Sequence, residues 1–199
     1  YATANMRRLQ EQRQALFFRL QDDSASACAQ LSACLTLAEQ WADVSQEPVA
    51  VPYMEEAVLS FLRSCEVLTS DWKQMLEHAA NAPEPENLLA YTPALDQEIR
   101  LFTMDMLYRY YLRAAYAETP EAEILPLQMA AFSVCVVLLY SRRLGFHTAE
   151  QRLRIWQLFV KEIEYDGDNL EELEWQLETN AAFSPAAFRA YFASPGGVQ

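Results

Sequence analysis

Apolar residues recur at three- and four-residue spacing from one end of the chain to the other, and no run alternates apolar and polar residues as a half-buried strand would. The first such pattern predicts a helix over about residues 4–21, with Met6, Leu9, Leu16, Phe17 and Leu20 on one side. Ser24 is placed to cap a second helix, which carries Leu31, Cys34, Leu35, Ala38 and Trp41 inward and stops near Ser45. Beyond Pro48 and Pro52 a third pattern runs through Met54, Val58, Phe61, Leu62 and Cys65. Thr69, Ser70 and Asp71 break it and restart it towards His78.

The plainest linker lies over residues 81–91, where NAPEPEN (Asn81 to Asn87) holds prolines that cannot continue a helix. After it, Leu95, Ile99, Phe102, Met106 and Tyr110 follow helical spacing, and the opposite side is also apolar through Leu101, Met104, Tyr108 and Tyr111. Such a helix is expected to be buried on several sides. Thr148 with Gln151 forms a capping box for a helix burying Leu153, Trp156, Phe159, Val160 and Ile163. Asp168 with Glu171 reads as a second box after Gly167, opening a helix through Leu170, Leu173 and Leu177. Ser184 and Pro185 start a last short helix, and residues 194–199 read as a frayed tail.

Between these lies the most apolar stretch, ILPLQMAAFSVCVVLLY from Ile124 to Tyr140, ending near Gly145. It is shorter than the roughly 20 apolar residues that a bilayer span needs, and Pro126, Gln128 and Ser133 interrupt it. It therefore reads as the central buried helix of an all-α, bundle-like domain of seven or eight helices. One such domain accounts for residues 1–199, and a chain opening on Tyr1 rather than Met reads as the C-terminal fragment of a larger protein.

Composition narrows the function. The four glycines, Gly145, Gly167, Gly196 and Gly197, form no phosphate-cradling turn, which excludes P-loop and dinucleotide-binding folds. A net charge of −13 leaves no basic surface for nucleic acid or for anionic membranes. The bases are 13 arginines and only Lys73 and Lys161, a balance suited to fixed pairing with carboxylates. Cys28, Cys34, Cys65 and Cys135 fall in apolar helical patterns without a CxxC pair, and read as reduced core thiols of a cytoplasmic protein.

Few residues point to chemistry. His78 and His147 read as surface or structural side chains, and no nucleophile–base pair or metal motif is present. Tyr108, Tyr110, Tyr111 and Tyr116, with Met104, Met106 and Arg109, read as core or as a ligand pocket, for which Tyr108, Tyr111 and Arg109 are the candidate residues. The run EIEYDGDNLEELEWQLE (Glu162 to Glu178) carries eight acids and no base. It reads as a solvated helix face, or alternatively as a docking surface for a basic partner through Glu171, Glu172 and Glu174.

Three segments carry a resemblance. QALFFRLQDDSASACAQLSACLTLAEQ (Gln14 to Gln40), the aromatic EIRLFTMDMLYRYYLRAAY (Glu98 to Tyr116) and FVKEIEYDGDNLEELEWQL (Phe159 to Leu177) occur in that order. The last holds an IEH-x-x-x-NL-like step at Ile163, Glu164, Tyr165, Asn169 and Leu170, with Tyr165 where His is expected. Together they resemble the C-terminal helical portion of the flagellin lysine-N-methylase family. The resemblance implies methyl transfer from S-adenosylmethionine to lysines exposed on a protein substrate. It also implies an N-terminal metal-binding half with a CxxxCxxxCC-type cluster, which these residues do not contain. No catalytic or cofactor-binding residue is transferred by it, and no cofactor or metal is expected on this chain alone. The competing reading is a non-enzymatic helical module that binds a small ligand or a partner protein. A large enclosed apolar pocket near the tyrosines would favour the module, and a shallow acidic groove the methylase domain.

Overall fold

The computed structural model describes residues 2–44, 54–82 and 89–193. Among these the fold is all-α, with nine α-helices and no strand. They are α1 (Ala2–Gln21), α2 (Ala27–Ala42), α3 (Met54–Ser64), α4 (Ser70–Asn81), α5 (Pro93–Tyr110), α6 (Leu125–Leu144), α7 (Ala149–Phe159), α8 (Gly167–Thr179) and α9 (Pro185–Ala193). Short 3-10 helices occupy Tyr111–Tyr116, Glu121–Glu123 and Ala181–Phe183, and a π-turn, Val160–Glu164, continues α7. The frayed tail predicted at 194–199 lies outside the described residues, as do Ser45, Pro48 and Pro52. Of the linker over 81–91, Asn81 closes α4, residues 83–88 are outside the described part, and Leu89 is buried in the core.

Helix α6 is the axis. Every residue from Pro126 to Ser141 is buried, and α5, α7, α8, α2, α3, α4 and α9 all pack on it. It is long and apolar enough to cross a membrane by length and composition, yet its apolar stretch is 89% buried against the rest of the protein. Phe132 sits at the centre, edge-on to Phe61 and Phe183 with ring centroids 5.4 and 5.2 Å away. Two of the helix's polar residues are satisfied locally or by helix ends, while the buried Tyr140 and Ser141 hydroxyls have no hydrogen-bond partner among the described residues. Ser133 Oγ donates to the Met129 carbonyl at 2.8 Å, and Gln128 Nε2 donates to the Leu177 and Phe183 carbonyls at 3.0 and 2.9 Å. Gly145, at φ +65°, supplies the left-handed residue that ends the helix.

Helix starts follow local chemistry in most places. Thr69 caps α4, Thr92 with Pro93 opens α5, and Thr148 with Gln151 forms the full capping box of α7. Two caps differ from the sequence reading. Ser26, not Ser24, caps α2, and Asp166, not Asp168, caps α8. The first shift has a tertiary cause. Arg100, itself buried, donates to the carbonyls of Leu20 (2.6 Å), Asp22 (2.8 Å) and Ala25 (2.6 Å), while Asp96 Oδ1 accepts from Ala27 N at 2.6 Å and from the Tyr91 hydroxyl. The Asp96–Arg100 pair (2.7 Å) thereby holds the end of α1 and the start of α2 at fixed places, and Ser26 falls at the cap.

Helix α5 is buried on several sides, by α6, α2, α1 and α7, but the cover is incomplete: Leu101 is 52% and Tyr108 68% exposed. Leu153 of α7 is likewise exposed rather than buried. The arginines behave as their number predicts: ten of the 13 form ion pairs among the described residues.

Two outcomes test this architecture. Val136 is fully buried, so Val136→Asp places an unpaired charge in the core at a cost comparable to the ~5–15 kcal/mol stability of a whole domain. The variant is expected to be insoluble or to lose its cooperative thermal transition. Burial pushes the Asp96 carboxyl up, but hydrogen bonds from Tyr91, Ala27 N and Arg100 more than offset this and hold it below the ordinary carboxylate range. Its contribution to stability is therefore complete above the unfolded carboxyl pKa of about 3.9 and is lost as pH falls through the lower folded value. Asp96→Asn is expected to flatten the acid limb of a thermal-stability profile below about pH 4.

Candidate functional site

Of the three segments that carry the resemblance, Gln14 to Gln40 meets the start of α5 through Arg100 and Asp96, whereas Glu98 to Tyr116 and Phe159 to Leu177 meet at its end. There α7 passes into the π-turn, whose wider winding turns three consecutive side chains, Glu162, Ile163 and Glu164, into the protein. The sequence reading of this run as a solvated face is corrected at Glu162 and Glu164. Glu162 accepts from Leu68 N at 2.7 Å and from the Thr69 hydroxyl, and so fixes the start of α4. Asn169, in the first turn of α8, pairs with the Glu66 backbone in both directions at 2.9 Å and donates to the Glu162 carbonyl at 2.8 Å. Ile163, Glu164 and Asn169 are thus inside, whereas Tyr165 is 81% exposed.

Glu164 faces α5. Its carboxylate pairs with Arg109 and accepts from the Tyr110 hydroxyl at 2.7 Å. Burial, reinforced by the hydrogen bond to Glu164, pushes the Tyr110 phenol above its ordinary value, so it remains a protonated donor. The same ring carries the Arg109 and Arg113 guanidinium carbons at 5.1 and 5.8 Å from its centroid. Tyr110 is therefore held by its hydroxyl from within, and its ring forms part of the wall of a cleft.

That cleft, about 610 Å³, lies where Tyr110, the 3-10 helix after it and the start of α6 meet the last turns of α8. Ala114, Pro126 and Met129 give it a buried apolar floor. Tyr110 and Tyr116 provide aromatic surface, and Glu118, Glu174 and Glu178 bring acid to it. Arg113 is the cation among its lining residues, and Arg113 Nη1 lies 2.7 Å from Glu174 Oε1. Ala122 also lines it. The next residue, Glu123, pairs with Arg8 of α1 at 2.8 Å, so the cleft adjoins the early turns of the first helix.

The sequence-predicted pocket residues do not converge. Tyr108 is exposed beneath Arg13, whose guanidinium carbon is 5.7 Å from the ring centroid. Tyr111 is buried towards α1, with its hydroxyl 3.4 Å from Gln12 Oε1, and Arg109 is committed to Glu164 and Asp105. Their neighbours Tyr110, Arg113 and Tyr116 line the cleft instead. Among the candidate docking acids, Glu171 and Glu172 are exposed on α8 and Glu174 is held by Arg113. Both histidines are exposed. His78 lines a second, shallower cleft of about 700 Å³ with Arg143 and Arg154. Among the described residues no three His, Cys, Asp or Glu side chains could hold a metal ion.

Removing the Glu164 carboxylate leaves the part-buried Tyr110 hydroxyl without its acceptor and Arg109 with Asp105 alone as ion-pair partner. Glu164→Ala is expected to cost about 1–3 kcal/mol in urea denaturation, and Glu164→Gln, which still accepts from Tyr110, less. Equal, negligible losses in both variants would contradict this role for Glu164.

Comparison of the chain with protein-family models, with curated proteins and with solved structures finds no match.

Proposed function

We propose that the chain is the C-terminal helical part of a lysine-N-methylase-like protein, in which it receives a basic protein substrate for methyl transfer from S-adenosylmethionine. One observation carries the reading: the cleft where the second and third resembling segments meet is open and acid-rimmed, not an enclosed apolar cavity. An acidic, partly apolar channel suits the stem and ammonium of a lysine side chain. A field of net charge −13 also draws basic partners in from solution. Methyl transfer further needs a deprotonated amine held within about 3–3.5 Å of the methyl carbon.

The cleft does not fit the methyl donor. A donor carboxylate would meet three acids, Glu118, Glu174 and Glu178, against the single cation Arg113. No glycine-rich turn is available to approach its phosphate-free nucleoside closely. This chain's share of the work is then to hold substrate, with the donor bound by the cysteine-bearing half that the resemblance implies.

The test pairs two measurements. Residues 1–199 alone are expected to give no heat with S-adenosylmethionine in calorimetric titration. The same chain joined to its cysteine-bearing half is expected to add methyl groups to lysines of a flagellin, read by mass spectrometry. Basic-peptide binding without any methyl transfer by the joined protein would overturn the methylase reading and leave the helical binding module.

A further inference from the structure

The cleft is built around a cation that the chain itself supplies. Arg113 sits with its guanidinium near the Tyr110 ring and on the Glu174 carboxylate, the two contacts by which a protein surface grips a cationic side chain. The grip is loose. The Arg113 side chain remains 49% exposed, and a half-exposed ion pair of this kind contributes only about 0–1 kcal/mol. Acids also outnumber the occupant: Glu118 and Glu178 line the same cleft and form no hydrogen bond or ion pair among the described residues. Tyr116, 84% exposed, adds an aromatic surface that Arg113 does not use. Below them Ala114, Pro126 and Met129 offer apolar floor for an aliphatic stem.

We infer that Arg113 is a built-in competitor in a receptor site for a basic side chain of a partner protein, which enters by displacing it from Tyr110 and Glu174. The incoming cation takes the Tyr110 ring and Glu174, Glu178 and Glu118 supply additional attraction, and Arg113 swings into solvent. Competition of this kind sets a threshold. A single weakly held basic residue does not displace Arg113, whereas a peptide with several, concentrated by the acidic field, does. The inference rests on the proposed reading only in taking this cleft as the receiving surface, and it does not require methyl transfer.

Fluorescence anisotropy with a labelled lysine-rich peptide, at low and at physiological salt, tests it. Arg113→Met keeps the stem and removes the competing charge, and is expected to bind about 2- to 5-fold more tightly than the unaltered chain. Glu178→Gln is expected to bind several-fold more weakly without a change in melting temperature. The peptide with all lysines acetylated is expected not to bind either protein. If the unaltered chain binds and Arg113→Met binds equally or more weakly, Arg113 is a contact or a bystander and the competitor is overturned. If neither protein binds at low salt, the cleft is no receptor and the inference falls with the receiving surface. Should Arg113→Met not fold, an unchanged affinity in Glu178→Gln overturns the receptor site by itself.

Discussion

Sixteen consecutive buried residues in one helix impose a strong constraint on everything around them. A helix buried on one side needs one partner, whereas α6 from Pro126 to Ser141 needs cover on every side. The other helices meet that demand as a shell rather than as a sequence of hairpins. In that stretch a polar group has only internal partners to turn to, and Gln128 finds them by donating to the Leu177 carbonyl near the end of α8 and to the Phe183 carbonyl. The core and the shell are thus tied by hydrogen bonds as well as by packing.

A shell of short helices has many ends, and helix ends expose unpaired backbone groups. With four glycines in the whole chain, left-handed caps are scarce. Remote charged side chains take over. Arg100 collects carbonyls after α1, Asp96 reaches the first amide of α2, and Glu162 reaches the approach to α4. This is where the surplus of arginine over lysine finds its use, since a planar fork can serve several acceptors at once. It also explains why acids so numerous in the sequence are not all on the surface.

The central helix, the boundaries marked by Thr69, Thr148 and Ser184, and the all-α class were legible because each rests on residues close in sequence. The cap of α2 was not. Ser24 and Ser26 are equally good caps locally, and the choice is made by Asp96 and Arg100 some seventy residues further on. Within Glu162 to Glu178 the π-turn was hidden for a similar reason: an α-helical spacing sets Glu162 and Glu164 about 100° to either side of the inward Ile163, and the wider turn brings both in. The tyrosine cluster was legible as a region and not as a set. Tyr108, Tyr110, Tyr111 and Tyr116 straddle the change from α-helix to 3-10 helix, which redirects each ring, so Tyr110 and Tyr116 reach the cleft while the other two do not.

The four cysteines extend this layered picture. Cys28 and Cys34 lie in α2, Cys65 just beyond α3 and Cys135 in the central helix, and all four are buried and free. Burial pushes Cys28, Cys34 and Cys65 up to about 12 and Cys135 well above its ordinary value, so in the folded protein they are neither reachable nor nucleophilic. Each becomes reactive only when its own layer opens. The native thiols therefore form a set of silent reporters, with alkylation at Cys65 timing departures of the shell near α3 and alkylation at Cys135 timing the opening of the axis itself.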